Sequence, residues 1–370
     1  MSDLLLVSTR KGLFSIRRAK AGRWQVGAVS FLGDNVTLAL PDARDGAWYA
    51  ALDHGHFGVK LHRSEDRGAH WEEVGVPQYP EPPAGHVEKD FFGREIPWKL
   101  IRVWALEPGL AAQPGLLWAG TLPGGLFRSG DWGATWELVR GLWDHPDRQG
   151  WMGGGADYPG IHSVCVHADH PRRITVAVST GGTWRSEDQG ATWTVRGQGM
   201  HAAYMPPERA EDPRVQDVHR LVQCPVKPEV AWIQHHNAMY RSVDDGLTWT
   251  DLGKPPLTGF GFAVAAHPGD PGTAWFVPGD KDERRIPLGG KVVVLRTRDG
   301  GKSFEVLARG LPQKHAYDLV FRHAMDVDAS GERLAFGSTT GSLWVTENAG
   351  DDWITVAEHL PPVYAVRWVS

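Results

Sequence analysis

Cysteine is scarce: Cys165 and Cys224 are the only two in 370 residues, and each stands inside an apolar run. A disulfide framework is thereby excluded as the organising force, and two buried free thiols are expected. Long apolar runs are lacking as well. The opening segment, Met1-Ser-Asp-Leu-Leu-Leu-Val-Ser-Thr-Arg10, has no basic region and only four consecutive apolar residues, too few for a secretory signal or a membrane span. It reads as a strand of a cytoplasmic protein with no membrane partner. Charge of one sign is also lacking, the formal net charge being -5, so nothing draws the chain generally to DNA and nucleic acid is not an expected partner.

What is abundant forms turns and fills space: 45 Gly, 26 Pro and 18 Trp. Many short strands are expected. The length exceeds the roughly 150 residues usual for one domain, but closed all-β folds run well beyond that, so residues 1–370 are expected to form a single domain.

Four segments share one template: Arg63-Ser-Glu-Asp-Arg-Gly-Ala-His-Trp71, Arg128-Ser-Gly-Asp-Trp-Gly-Ala-Thr-Trp136, Arg185-Ser-Glu-Asp-Gln-Gly-Ala-Thr-Trp193 and Arg241-Ser-Val-Asp-Asp-Gly-Leu-Thr-Trp249. Two variants follow, Thr297-Arg-Asp-Gly-Gly-Lys-Ser-Phe304 and Thr346-Glu-Asn-Ala-Gly-Asp-Asp-Trp353. Their leading Ser or Thr residues, at 64, 129, 186, 242, 297 and 346, are 65, 57, 56, 55 and 49 positions apart, a period suited to a four-stranded blade. A degenerate copy precedes them at Gly12-Leu-Phe-Ser15 and Trp24. The Ser or Thr and the Asp two residues later offer acceptors to nearby backbone N–H groups, and Gly supplies a positive φ, so each box is a hairpin turn. The closing aromatic is expected to pack between neighbouring blades.

The pattern Ser-x-Asp-x-Gly-x-Thr-Trp resembles the Asp-box, or bacterial neuraminidase (BNR), repeat. With the degenerate copy, the resemblance implies an all-β, seven-bladed β-propeller. The fourth repeat divides most clearly into strands, at 161–167 (A, innermost), 174–179 (B), 182–186 (C) and 192–196 (D). Inner strands of other repeats align at 35–41, 100–106, 218–224, 261–267 and 316–322. The first repeat has none, and Val363-Tyr-Ala-Val-Arg-Trp-Val369 supplies the missing pattern from the other end. A ring closed by that C-terminal strand exposes no sheet edge.

The boxes are C–D turns and mark one face of the disc. Long insertions at 75–98, 141–160, 197–217 and 278–290 fall on the other face, where a site is expected. Its B–C turns carry Arg10, Lys11, His54, His56, His235, His236, Asp280 and Lys281. Aligned inner strands add His162, His219, Tyr317 and Tyr364 at one register and Thr37, Arg102, Ser163, Arg220 and Asp318 at the next. Equivalent positions of a closed repeat form a ring. Arg102, Arg220, His162, His219, Tyr317 and Asp318 are therefore expected to converge near the axis, with His54, His56, His235 and Asp280 at the rim. Trp143, Trp151 and Tyr204 lie on the insertions, as lids or as sugar platforms.

Three functions fit these residues. The favoured one is a non-catalytic binding or assembly module taking a small-molecule, carbohydrate or peptide ligand; Arg102, Arg220, Arg10, His54, His56, His235, His236 and Asp280 would bind it, and two arginines favour an anionic ligand. A second is a glycoside hydrolase-like enzyme, which needs two carboxylates roughly 5–10 Å apart, from among Asp53, Asp157, Asp217, Asp280 and Asp318. A third is a metal- or His/Tyr-dependent enzyme in which a divalent metal is held by some of His54, His56, His162, His219, His235 and His236, none at a recognised ligand spacing. Asp318, Tyr317, His219 and His162 are the catalytic candidates of the enzyme readings. In the blander alternative Asp318 merely neutralises Arg102 or Arg220 in a water-filled channel.

Similar repeats occur in sialidases, xyloglucan-active glycoside hydrolases, sorting-receptor ectodomains and photosystem assembly factors, and the whole chain looks most like bacterial BNR-repeat proteins labelled exo-α-sialidase-like. Sialidases are six-bladed and place Arg-Ile-Pro before the first box. Here Arg285-Ile-Pro287 falls in the sixth repeat and Arg94-Glu-Ile-Pro97 after the first intact box, so their catalytic residues do not transfer. Xyloglucan-active relatives use two facing propellers, and this chain has one. The pure protein is accordingly expected to leave a generic fluorogenic sialoside uncleaved; robust turnover, abolished by Arg220→Ala, would contradict that reading.

Overall fold

The computed structural model describes residues 1–20, 22–90, 93–253 and 256–370. Seven four-stranded antiparallel sheets form a ring, a seven-bladed β-propeller with almost no helix. From the axis outward, blade 4 runs Ile161–Val166, Ile174–Val178, Gly182–Ser186 and Thr194–Arg196. The other inner strands are Val36–Pro41 in blade 2, Arg102–Pro108 in blade 3, Val218–Cys224 in blade 5, Gly261–Ala266 in blade 6 and Met325–Val327 in blade 7.

Blade 1 is made from both ends of the chain. Val363–Trp368 is its innermost strand and pairs antiparallel with Leu4–Thr9, with Leu5 opposite Trp368, Leu6 opposite Arg367 and Val7 opposite Val366. Leu5, Leu6, Val7 and Val366 are all buried. Polar contacts tie the same place to blade 7: Ser2 N donates to Asp328 Oδ2 at 2.8 Å, and Arg333 Nη1 donates to Asp3 Oδ1 and to Ser2 O, both at 2.7 Å.

Each repeated turn has one geometry. In blade 4 the Ser186 hydroxyl donates to Asp188 Oδ1 at 2.8 Å and accepts from Gly190 N at 2.7 Å, while Asp188 Oδ1 accepts from Thr192 N at 2.9 Å. The Ser/Thr and Asp/Asn of the other five intact copies bond in the same way. Gly190 has φ 93, as the sequence implies, and the residue before it is left-handed too: Gln189 at 61, like Arg67 at 57, Trp132 at 61, Asp245 at 65 and Ala349 at 56.

That second left-handed residue turns its carbonyl toward the preceding blade. Tyr49 Oη donates to Trp132 O at 3.1 Å, Arg185 Nη1 to Asp245 O at 2.6 Å, and Arg296 Nη1 and Trp275 Nε1 to Ala349 O at 2.8 and 2.9 Å. The turn is therefore also a blade-to-blade tie. The closing aromatics pack beside it: Trp193, Trp249 and Trp353 are buried, and Trp193 shares a cluster with Trp118, Val139 and Leu142 of the neighbouring blade. Cys165 and Cys224 are free thiols, Cys224 buried and Cys165 partly so.

The inner strand expected at 100–106 begins two residues later, at Arg102, and the one expected at 316–322 is displaced altogether. Strand pairing in blade 7 begins at Met325, opposite Phe336. The earlier segment crosses the insertion-bearing face, where Leu319 and Phe321 pack on Phe260 and Phe262, and Asp318 accepts from the hydroxyls of Ser338, at 2.7 Å, and Thr340. Its alternating pattern thus serves a connection packed on blade 6.

Deleting residues 363–370 is expected to open the ring at blade 1 and to produce aggregation, because it bares the edge of Leu4–Thr9. A truncated chain that stays monomeric with an unchanged melting temperature would contradict closure as a structural requirement.

Candidate functional site

Every inner strand paired at this level carries a β-bulge at one position, between Val36 and Leu38, Val103 and Ala105, Ile161 and Ser163, Val218 and Arg220, Gly261 and Ala263, and, in blade 1, Val363 and Ala365. The extra residue leaves the ladder and re-aims its side chain. These residues are Thr37, Trp104, His162, His219, Phe262 and Tyr364. His323 takes the matching place in blade 7, just before Ala324, whose carbonyl accepts from Gly337 N at 2.9 Å.

Five of the seven, Thr37, Trp104, Phe262, His323 and Tyr364, line a cavity of about 360 Å³ near the axis on the face away from the repeated turns. His162 and His219 are buried behind it, His162 edge-on to Trp104 with ring centroids 5.6 Å apart and His219 stacked on Phe262 at 4.4 Å. Arg102, Arg285 and Arg322 add charge to the cavity wall, and residues 155–158 of an insertion close one side.

The three arginines differ in their partners. Arg102 Nη2 lies 3.7 Å from Asp53 Oδ2, and Arg285 Nε donates to Asp282 Oδ1 at 2.9 Å. Arg322 donates through Nε to the carbonyl of His219 at 2.8 Å and lies over the rings of Trp104, at 4.5 Å, and Phe262, at 5.7 Å. Among the described residues no carboxylate pairs with it. Burial pulls its pKa down to about 10; Asp217 opposes this, and Arg220, Arg285 and Arg102 add to it. It remains a cation at neutral pH.

Beside the cavity, Asp217, His219 and His236 converge. Asp217 Oδ1 is 3.7 Å from His219 Nε2, and Oδ2 is 3.3 Å from His236 Nδ1. Burial raises the Asp217 pKa, but the two imidazoles outweigh it and hold the carboxyl well below the usual range. For His236 burial lowers the pKa, and the hydrogen bond and charge of Asp217 reverse this to a net rise. Backbone contacts fix the group: His236 N donates to Asp217 O at 2.9 Å, and the His219 ring meets Gly261 O through Nδ1 at 2.6 Å.

The structure thus places Arg102 in the cavity and sets His219 and His236 beside it, and it separates the other expected residues. Arg220 does not share that mouth. It donates through Nη1 to His162 O at 3.2 Å and lines a cavity on the opposite side with Glu107, Asp326 and Arg367, because it follows the bulge at His219 and so faces away. Tyr317 and Asp318 leave the axis with the displaced segment, Tyr317 being 62% exposed. Asp280, paired with Arg284, borders a separate depression with Tyr317 and His315.

The remaining histidines of the rim do not reach the cavity wall either. His54 precedes and His56 lies within a short turn, where the His56 ring packs tilted against Phe57 with centroids 3.8 Å apart. His235 is fully buried, its pKa lowered by burial to about 3, and its Nδ1 accepts from Asn237 N at 3.3 Å. Arg10 is exposed on its turn. Trp143 and Trp151 are buried in the bracing of the insertions, where Arg148 and Glu88 form a buried pair at 2.8 Å, and Tyr204 covers His236 with ring centroids 5.0 Å apart.

Arg322, Trp104 and Phe262 were not expected at the site, and Arg285 was named only within a misplaced Arg-Ile-Pro element on the 278–290 insertion. Arg322 and His323 carried a signal only if blade 7 was aligned on the Leu334–Gly337 strand, which shifts its inner strand by six residues. Trp104, two positions beyond Arg102, was hidden because the inner strand of blade 3 begins at Arg102 and not at residue 100.

The fold and cavity define a seven-bladed β-propeller with an arginine-lined cavity at one mouth. No protein-family model matches the sequence. No curated protein matches it either. Among solved structures, the GH74 xyloglucanase from Xanthomonas campestris aligns with TM-score 0.62 and 19% identity over 98% of this chain and 52% of its own. An ancestral GH74 enzyme aligns with TM-score 0.61 and 15% identity over 87% of this chain and 38% of its own. The chain therefore spans about half or less of either enzyme. YCF48 bound to D1 peptide aligns with TM-score 0.51 and 12% identity, covering 87% of this chain and 81% of its own. At such identities the likeness shows the fold alone. No helix among the described residues is long and apolar enough to cross a membrane.

Proposed function

We propose that the chain is a non-catalytic recognition module, built as one domain of Asp-box repeats, whose central cavity binds an anionic, carboxylate-bearing ligand. The observation that carries this reading is Arg322, a guanidinium at the cavity wall held by a single carbonyl contact and two aromatic faces, with both Nη groups left without a carboxylate partner among the described residues. A partly desolvated, unneutralised cation is costly unless something anionic meets it, and a guanidinium fork matches a carboxylate in two parallel bonds. Arg285 and Arg102 stand on the same wall, and Trp104, Phe262, Phe321 and Tyr364 give it apolar area for the body of a ligand.

The hydrolase reading fares less well. Two facing carboxylates are required, and Asp157 is the one carboxylate on the cavity wall among the described residues. The YCF48 structure, described as bound to D1 peptide, supports a peptide as one form of ligand for such a fold. A cytoplasmic setting belongs to the same proposal, in keeping with two free cysteines.

Calorimetric titration with a panel of di- and tricarboxylates and free-carboxylate peptides, each matched to its amide, tests this. A carboxylate should bind while its amide does not, and binding should weaken with salt. Arg322→Gln and Arg285→Gln should each weaken it at least tenfold, since a charge-assisted bond contributes about 1.5–3 kcal/mol. Acid and amide binding equally, or both variants binding as the wild type does, would overturn the proposal.

A further inference from the structure

Within the group of Asp217, His219 and His236, the contact between Asp217 and His219 is one that ordinary hydrogen bonding does not satisfy. The His219 Nδ1 lies 2.6 Å from the carbonyl of Gly261. A carbonyl only accepts, so Nδ1 carries the proton and, in the neutral ring, Nε2 is a lone pair. That lone pair faces Asp217 Oδ1 at 3.7 Å, beyond hydrogen-bond range. In that state two buried acceptors confront each other, and a cation there, a proton on Nε2 or a metal ion between the two, resolves the conflict.

The donor spacing suits such an ion. Bonds of about 2.0–2.1 Å to nitrogen and oxygen place two ligands of a tetrahedral centre roughly 3.3–3.4 Å apart. Asp217 Oδ2 and His236 Nδ1 are 3.3 Å apart, and the three donor atoms lie within 4.8 Å of one another. His236 sits on the turn after Lys227–His235 and is the most accessible of the three, so a small swing of its ring closes the set. The Nδ1–H bond from His219 to a backbone carbonyl is the outer contact that usually orients a metal-ligating imidazole.

Space is kept at this point as well. Gly154 lies against the carboxylate, and a Cβ there would stand 3.1 and 3.3 Å from the Asp217 oxygens. From this geometry we infer that Asp217 and the Nε2 of His219, together with His236, form a binding site for a single borderline divalent transition-metal ion, with open coordination positions. Two imidazoles and one carboxylate favour zinc, cobalt, nickel or iron(II) over magnesium or calcium, which seek oxygen ligands. The residues differ from those that carry the anion-binding reading, and the site stands or falls separately.

Cobalt(II) is the probe. Chelator-stripped full-length protein should bind one equivalent and develop visible ligand-field absorption, and zinc should displace it. His236→Ala and His219→Gln should each weaken cobalt binding at least tenfold while circular dichroism stays native. His56→Ala, on a turn outside the group, and Arg102→Gln, on the cavity wall, should bind as the wild type does. Zinc should also raise the melting temperature of the wild type more than that of His236→Ala, because an ion bound to the folded state alone stabilises it. Less than half an equivalent of cobalt bound by the wild type, or His236→Ala and His219→Gln binding as tightly as it does, would overturn the inference. Loss of carboxylate binding in Arg322→Gln with cobalt binding intact would separate the two sites.

Discussion

Closure of the ring is the constraint on which everything else rests. Six blades can stack on neighbours along the chain, but blade 1 exists only because Val363–Trp368 lies against Leu4–Thr9. Antiparallel pairing there covers the inner edge of Leu4–Thr9, which an unclosed array of blades would leave open. Around the ring the blades are also tied by side chains that reach the carbonyl of a left-handed turn residue in the next blade, as Arg185 does to Asp245 and Arg296 to Ala349. Such ties form only when blades stand at a fixed angle, so the turn that ends one hairpin helps set the pitch of the whole disc.

A ring of equivalent blades needs no cavity at its mouth, and the cavity here arises from departures from equivalence. The inner-strand bulge aims one residue per blade at the axis, and at that level the chain places a mixture of aromatic, imidazole and hydroxyl groups. Insertions then break the symmetry on one face: residues 155–158 close the cavity beside Arg285, which arrives from the long connection in blade 6. The insertions brace one another through the buried Glu88 and Arg148 pair, so the cavity wall rests on a packed layer.

Much of the fold was legible because its signal is local and repeated. A Ser, an Asp two residues later and a Gly two after that describe one turn, and six copies at a regular spacing leave little choice of architecture. The strand supplied by the C-terminal end could be read for the same reason. The site was less legible because it depends on register at single-residue resolution. In blade 3 the inner strand starts later than its pattern suggests, so that Trp104 is the bulged residue, and in blade 5 the bulge at His219 turns Arg220 to the other mouth; alternation of polar and apolar residues reveals neither. In blade 7 the alternating segment at 316–322 imitated an inner strand, which hid Arg322 and His323. Asp217, His219 and His236 were each named from sequence, but their meeting depends on a turn and a bulge together.

An arginine cavity beside two imidazoles and a carboxylate makes this face chemically unlike its opposite, where Arg220, Arg367, Glu107 and Asp326 stand together around the other mouth. The proposed recognition turns on Arg322 being a cation that has no carboxylate partner among the described residues and that an anion can reach. Diffraction at the bromine absorption edge from crystals soaked in bromide reads this directly. An anomalous peak within hydrogen-bonding reach of the Arg322 guanidinium, inside the cavity shared with Arg285 and Arg102, is the predicted result. Bromide at other surface arginines with none in that cavity would contradict it.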